Sequence, residues 1–471
     1  MRLKFDAELI GFNGIRVEVH CEILPPCVGG QAAEIRLEIA RQCIVKLPPS
    51  NPCTLLGRNG SYSIDLKGVY WRNFPMYAQN KFELKEIKLL HVEELRLHRD
   101  SSGDKKEICF HLAPVNCLKS QFHSFDLRAG LEPSELFRLE LPNLGSLKFI
   151  SYWISSYDAD SKIPNATSLA GFDAVLDLKN QSQIDIDSAV KNFKGSIEVL
   201  SVLFRQAVTL HGWRQTGEET VDTWINSLEP NETPCAHEER GQYVCEPQRF
   251  NEYAQLLVDA YGSADKKTRS LVRHILVAAN PHNISRTNDR FMFMFSVLER
   301  LIEFAFNLDK ARKDLATADL TIIGYLEELR ASVVSRGGDD AETIDKRLAG
   351  FIGLIKRHGF RDKLESLIRV YPLAAHCFSD LWPIQGSEKR RGLKEIRNSL
   401  AHGRSSSSSI NMVAVAEWHL SILLERMVFI ILGIDIPKGI APNSFLLEMG
   451  GKGWYDREWW EPLQMELDEP I

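Results

Sequence analysis

Two stretches near the N-terminus, Ile15-Arg-Val-Glu-Val-His20 and Glu34-Ile-Arg-Leu-Glu-Ile39, alternate apolar and charged side chains. That period of two is the pattern of a strand with one face in water. Ser61–Leu66, Ile108–Leu112 and Leu136–Leu141 continue it more weakly. Turn-forming clusters lie between them: Pro25-Pro26 with Gly29-Gly30, Pro48-Pro49-Ser-Asn-Pro52, and Asp100-Ser-Ser-Gly-Asp104. The spacing predicts a β-rich domain over residues 1–185, sandwich or open-barrel-like in form.

The period then changes to that of a helix. Val190, Phe193, Ile197, Leu200 and Phe204 share one face of a segment running from Ser188 to Gln206. A polar, turn-rich stretch, Gln215–Pro247, reads as a linker or exposed insertion, so residues 186–248 form a connecting region. From Arg249 the pattern is helical. Asp289–Asp309 has a strongly apolar face, and Ala341–Arg357, Lys363–Val370, Glu388–His402 and Met412–Leu432 complete an all-α domain over 249–436, its core at about 286–436. Residues 437–471 read as a tail with Trp454-Tyr455 and Trp459-Trp460. The expected class is α+β, a β-rich domain followed by a helical bundle.

Composition adds boundaries. At ~100–200 residues per domain, a chain of 471 residues holds two to four. Hydrophobic residues at 44% and charged residues at 25% place it among globular proteins rather than disordered or fibrous ones. Its 57 Lys+Arg against 63 Asp+Glu, a net of -6, exclude a whole-chain electrostatic glove for nucleic acid but leave room for a local basic site. Nine scattered cysteines make no disulfide framework. The most apolar runs, Phe291–Leu298 and Met427–Ile434, fall far short of the ~20 residues needed to cross a bilayer. The chain therefore reads as cytoplasmic, with reduced thiols and no membrane partner.

The most informative segment is Lys394-Glu-Ile-Arg-Asn-Ser-Leu-Ala-His-Gly403. On a helix, Leu393, Ile396 and Leu400 form a core stripe, and Arg391, Glu395, Asn398 and His402 the opposite one. Arg397 sits at the edge of the apolar stripe, where its stem can cover the core while the guanidinium reaches around. Gly403 is placed to end the helix. An imidazole, an amide and a guanidinium suit metal-free RNA cleavage. Histidine moves a proton near neutral pH, and arginine matches phosphate oxygens. On spacing alone, a histidine in the last turn is better explained by its interaction with the helix dipole. Arg269 and His274 repeat the spacing with no role attached.

Arg397-Asn-Ser-Leu-Ala-His402 with Gly403 resembles the arginine–polar–x–x–x–histidine signature of HEPN domains (higher eukaryotes and prokaryotes nucleotide-binding). Phe291–Asp309, with Leu298-Glu-Arg-Leu-Ile-Glu303, is similar to that fold's earlier long helix, and Met412–Leu432 fits its up-and-down bundle. The layout of a β-rich domain leading into a helical one resembles the ApeA-type proteins of bacterial antiphage defence. The resemblance implies a homodimeric, metal-independent endoribonuclease whose catalytic set is Arg397, Asn398 and His402. It further implies an RNA substrate, tRNA among the candidates, a phage-derived trigger, and a role in abortive infection. Some members of the family are silent and only scaffold or bind nucleotides, which is the alternative.

Lys389-Arg390-Arg391, just ahead of the motif, offers a contact for the RNA backbone, against the reading of a solvated helix start. No phosphate-binding glycine loop is present, and no cofactor is expected. Cys235, His237 and Cys245 have soft ligands at short spacing, three of the four a structural zinc needs, with His211 or another distant residue required. Ordinary free thiols are the stronger reading there. Cys109 and Cys117 lack partners at ligand spacing, and Cys21 and Cys27 flank a Pro-Pro turn, so free or buried thiols are expected.

Overall fold

The computed structural model describes residues 2–11, 14–25, 33–40, 52–60, 62–71, 84–87, 89–100, 106–113, 134–141, 144–157, 164–178, 185–205, 207–217, 219–225, 244–279, 286–310, 317–355, 359–387, 390–403, 409–442 and 463. The turn clusters at 26–30, 48–51 and 101–104 and the tryptophan-rich tail lie outside the described residues. Internal contacts divide the chain into one unit of Met1–Arg269 with Pro437–Gly439, and a second of Ser270–Ile436 with Ile440–Ile471.

The first unit is built on an antiparallel sheet. Its strands are β1 (Leu3–Ile10), β2 (Arg16–Leu24), β3 (Glu34–Ala40), β4 (Cys53–Asn59), β5 (Tyr62–Trp71), β6 (Leu84–Ile87), β7 (Leu89–Asp100), β8 (Glu107–Ala113), β9 (Ser134–Leu141), β10 (Gly145–Tyr157), β11 (Pro164–Asp177), β12 (Thr209–Thr216) and β13 (Glu219–Ile225). They pair in the order β6-β3-β2-β1-β4-β5-β7-β13-β12-β8-β11-β10-β9. A single sheet with ends at β6 and β9 therefore stands where two facing sheets of a sandwich were one expectation.

Alternation decides which side is dry. Leu3, Phe5, Ala7 and Leu9 of β1 stand opposite Ile23, Cys21, Val19 and Val17 of β2, all buried. This apolar face runs on through β3, β4, β5 and β7 to Trp224 of β13, and the cluster has no helical member among the described residues.

In the second half of the sheet the dry side is the opposite one. Leu95 stands opposite Trp224, Trp224 opposite Gly212, and Gly212 opposite His111. Phe110, on the other face, stands opposite Trp213 and packs under helices. These are α1 (Ile186–Ile197), a 3-10 turn Glu198–Leu200, α2 (Ser201–Phe204) and α3 (Phe250–Ser263). Phe110 stacks on Phe193 at 4.0 Å, and Phe250 meets Phe137 at 5.0 Å and Phe204 at 5.2 Å between ring centroids. The polar side of this half thus continues the apolar side of the other.

Three expectations are corrected here. The sheet does not end near 185, and Gln215–Pro247 is not wholly a linker, because β12 and β13 return to the middle of the sheet. Thr220, Asp222 and Thr223 are buried, so the hydropathy of β13 conceals its place. The border is also not at 248/249. Helix α3 belongs to the sheet unit, where it covers the edge strand β9. Asn251 accepts from the Arg138 N–H at 3.1 Å, and the Gln255 amide bonds the Glu140 N–H and C=O at 2.8 and 2.9 Å. Side chains of α3 thereby occupy backbone groups that an edge strand otherwise exposes.

The border falls inside α4 (Lys266–Ala279). The second unit continues with α5 (Thr287–Leu308), α6 (Thr317–Arg336), α7 (Ala341–Ile355), α8 (Phe360–Val370), α9 (Leu373–Cys377), α10 (Leu393–Ala401) and α11 (Ser409–Ile431). Helix α5 is central: α8, α10 and α11 pack on it, and Phe291, Met294, Phe295, Leu298, Leu301 and Ile302 are buried. Arg426 of α11 is wholly buried and held by both Asp380 oxygens at 2.7 and 2.9 Å, with further bonds to the Cys377 and Ile440 carbonyls. No helix among the described residues is long and apolar enough to cross a membrane.

Candidate functional site

Helix α10 is set by the turn before it. Gly386 and Gly392 approach so closely that a Cβ on Gly392 would lie 2.4 Å from the Gly386 nitrogen and 2.8 Å from the Pro383 carbonyl oxygen. The Glu395 carboxylate accepts from both glycine N–H groups, at 2.8 and 2.9 Å. This closes a capping box. Trp382, fully buried, donates its indole N–H to the Arg391 carbonyl at 2.9 Å and its backbone N–H to His419 Nδ1 at 3.0 Å. The helix therefore begins at Leu393, not at Glu388, and Glu395 serves the loop rather than the outward stripe. Leu393 and Ile396 anchor the buried face.

At the other end, His402 is the C-cap, its N–H bonded to the Asn398 carbonyl at 3.1 Å. Gly403 follows at φ +69, the left-handed conformation that ends helices. The His402 ring is exposed. Arg397 is half-buried; it donates to Asn398 Oδ1 at 3.1 Å and pairs with Glu299 of α5 at 3.2 Å. Adjacent helical residues ordinarily diverge, so the guanidinium has turned back around the helix, as its place on the stripe edge allows. Arg397 and Asn398 are thus joined, and no hydrogen bond links the His402 ring to either side chain. Arg391 is part-buried and turned toward Ser399 Oγ at 3.5 Å, Arg390 is exposed, and Lys389 lies outside the described residues.

Of the proposed zinc residues, Cys235 and His237 also lie outside the described residues. Cys245 is buried, and burial pushes its thiol up to about 12. His211 is fully buried in β12.

A second cluster was not anticipated. Cys109 and His111 of β8 meet Asp173 of β11, with Cys109 Sγ 3.3 Å from Asp173 Oδ2 and His111 Nδ1 3.0 Å from Asp173 Oδ1. Cys109 is a free thiol, as its spacing predicts, but strand pairing gives it neighbours that its sequence spacing does not show. Burial, and then the Asp173 carboxylate, hold that thiol well above its ordinary range. Beside it, Arg214 pairs with buried Asp222 at 2.5 Å, and Arg99 reaches the same carboxylate at 3.2 Å. Burial disfavours the Arg214 charge, but Asp222 outweighs it and raises the guanidinium pKa. The alternation Cys109-Phe-His111 was the sequence signal for a shared face. The partner lies 62 residues beyond His111, which only strand pairing reveals.

No family model, curated protein or solved structure matches this chain.

Proposed function

We propose that the helical unit is a metal-independent endoribonuclease of the HEPN type, acting in bacterial antiphage defence. The observation that carries the reading is the exposed His402 imidazole at the end of α10, one turn from Asn398 and the Arg397 guanidinium. The ribose 2′-hydroxyl attacks the adjacent phosphorus, and the 5′-oxygen leaves. His402 moves a proton at one of these oxygens, Arg397 balances charge growing on the phosphorane, and the Asn398 amide orients the phosphate. Base and acid are needed together, so the reading includes a homodimer that sets two copies of α10 side by side across a two-fold axis. The products carry 2′,3′-cyclic phosphate ends. The substrate is cellular or viral RNA, with tRNA among the candidates, and release from inhibition follows a phage-derived signal.

One observation favours the second reading, a silent scaffold that binds a nucleotide or partner protein: Arg397 already has an anionic partner in Glu299. Purified His402→Ala and Arg397→Ala separate the two. At unchanged melting temperature, each is expected to lose ~10²–10⁴-fold in RNA cleavage, the usual worth of a positioned proton carrier or charge stabiliser. Cleavage equal to wild type in either variant defeats the catalytic assignment.

A further inference from the structure

We propose that Cys109, His111 and Asp173 bind one zinc ion on the polar side of the sheet. The argument begins with register. Asp173 stands directly opposite His111 across the β8–β11 pair, and Cys109 lies two residues along β8 on the same face. Ile108, Phe110 and Leu112 take the other face and are wholly buried, so the face of Cys109 and His111 is settled by packing rather than by the cluster itself. Sγ, a ring nitrogen of His111 and a carboxylate oxygen all lie within 4.8 Å of one another. Two backbone strands hold them, and His111 and Asp173 are buried.

The donor set is one thiolate, one imidazole and one carboxylate. Zinc takes these three atom types, and three protein ligands leave a fourth position for water or an external anion. A free-thiol nucleophile fits less well. The Cys109 S–H donates to the Asp173 carboxylate rather than to histidine; that carboxylate is too weak a base to remove the proton, and a buried thiol beside a negative charge resists ionisation. A divalent cation reverses that preference, because a coordinating thiol is deprotonated outright. The step balances simply: zinc forms a bond to Sγ as the S–H bond breaks, and the proton passes to solvent. His111 would bind through Nδ1 with its ring proton on Nε2. The two ligand charges then match the ion.

The neighbouring charges permit this. Arg214, opposite Cys109 on β12, is directed to Asp222, which also holds Arg99. Their positive charge is therefore partly engaged before an ion arrives, and the remainder favours an anion or hydroxide at the open position.

The test uses the full chain, stripped with a chelator and dialysed. Titration with zinc against a chromogenic chelator is expected to give one tight site per chain. Cobalt in its place is expected to produce a near-ultraviolet thiolate charge-transfer band. Cys109→Ser should abolish the band, and His111→Gln should weaken zinc binding by at least the ~10–100-fold typical of lost outer partners. Cys235→Ser and Cys245→Ser should leave both signals intact. Absence of a cobalt band in wild type, or its survival in Cys109→Ser, overturns the proposal, as does loss of zinc in Cys235→Ser. Should Cys109→Ser not fold, the wild-type band and a zinc-dependent rise in melting temperature, absent with magnesium, decide the matter. RNA cleavage is not a readout here, so this proposal and the ribonuclease reading stand or fall separately.

Discussion

Arg397 on α10 reaches Glu299, 98 residues earlier on α5, with the guanidinium 3.2 Å from the carboxylate. Both side chains are about one-third exposed, at 35% and 37%. An approaching phosphate must therefore share or displace a carboxylate already in place. Under the ribonuclease reading, Glu299→Gln frees the cation and tightens RNA binding. Pairs of this exposure are worth ~0.2–1 kcal/mol, so the gain is roughly 1.4–5-fold in Kd by filter binding, with a steeper salt dependence. A scaffold in which the pair merely joins two helices would lose stability and show no change in RNA affinity.

Gly392→Ala tests whether the turn before α10 positions the motif. The added methyl would meet backbone atoms of residues 383–386, which cannot yield as a flexible side chain would. Overpacking of this kind costs ~1–3 kcal/mol. Denaturant midpoints should fall accordingly, and cleavage should fall further than the population of folded protein explains, because α10 shifts with its cap.

The Asp380–Arg426 pair is the most deeply buried ion pair among the described residues, at 1% and 0% exposed. Asp380→Ala leaves a cation in the core of the helical unit without its counter-charge, and the expected loss is ~3–5 kcal/mol. Arg426→Met removes the charge instead and should cost less than Asp380→Ala. Equal losses in the two variants would show that packing, not charge, dominates there.

Stability should decline in alkali. Burial raises Cys21 and Cys245 to about 12 in the folded chain. The unfolded state releases these thiol protons near ~8.5 while the folded state keeps them, so stability is complete below that pH and is lost as pH climbs toward 12. The slope is at most ~1.4 kcal/mol per pH unit for each thiol. Urea midpoints measured on either side of that pH should differ in this sense, and Cys21→Val should flatten the trend.

How much was legible in the sequence follows from the range of the forces involved. Strands such as β2 and β3 and helices such as α5 were readable because burial of one face writes a period of two or near 3.6 into neighbouring residues, and α11 because it is buried on nearly every side and so reads as one long apolar run. The surface placement of His402 and the end of α10 at Gly403 were readable for the same reason, since a stripe and a cap need only about ten residues. Helix α6 was not, because its apolar residues are spread around the axis, with Leu320, Tyr325 and Val334 exposed. Strand β13 was hidden by its buried threonines and aspartate.

Tertiary structure alone decided the rest. It assigned α3 to the sheet unit through Asn251 and Gln255, turned Glu395 inward to bind two glycine N–H groups, and joined Arg397 to Glu299. It also brought Asp173 beside Cys109 and His111, and moved the dry face of the sheet from one side to the other near β13. Local period says that a residue faces inward or outward, but not which distant residue it meets. Those meetings depend on register between strands and on the packing of whole helices, and both are set by the shape of the assembled core.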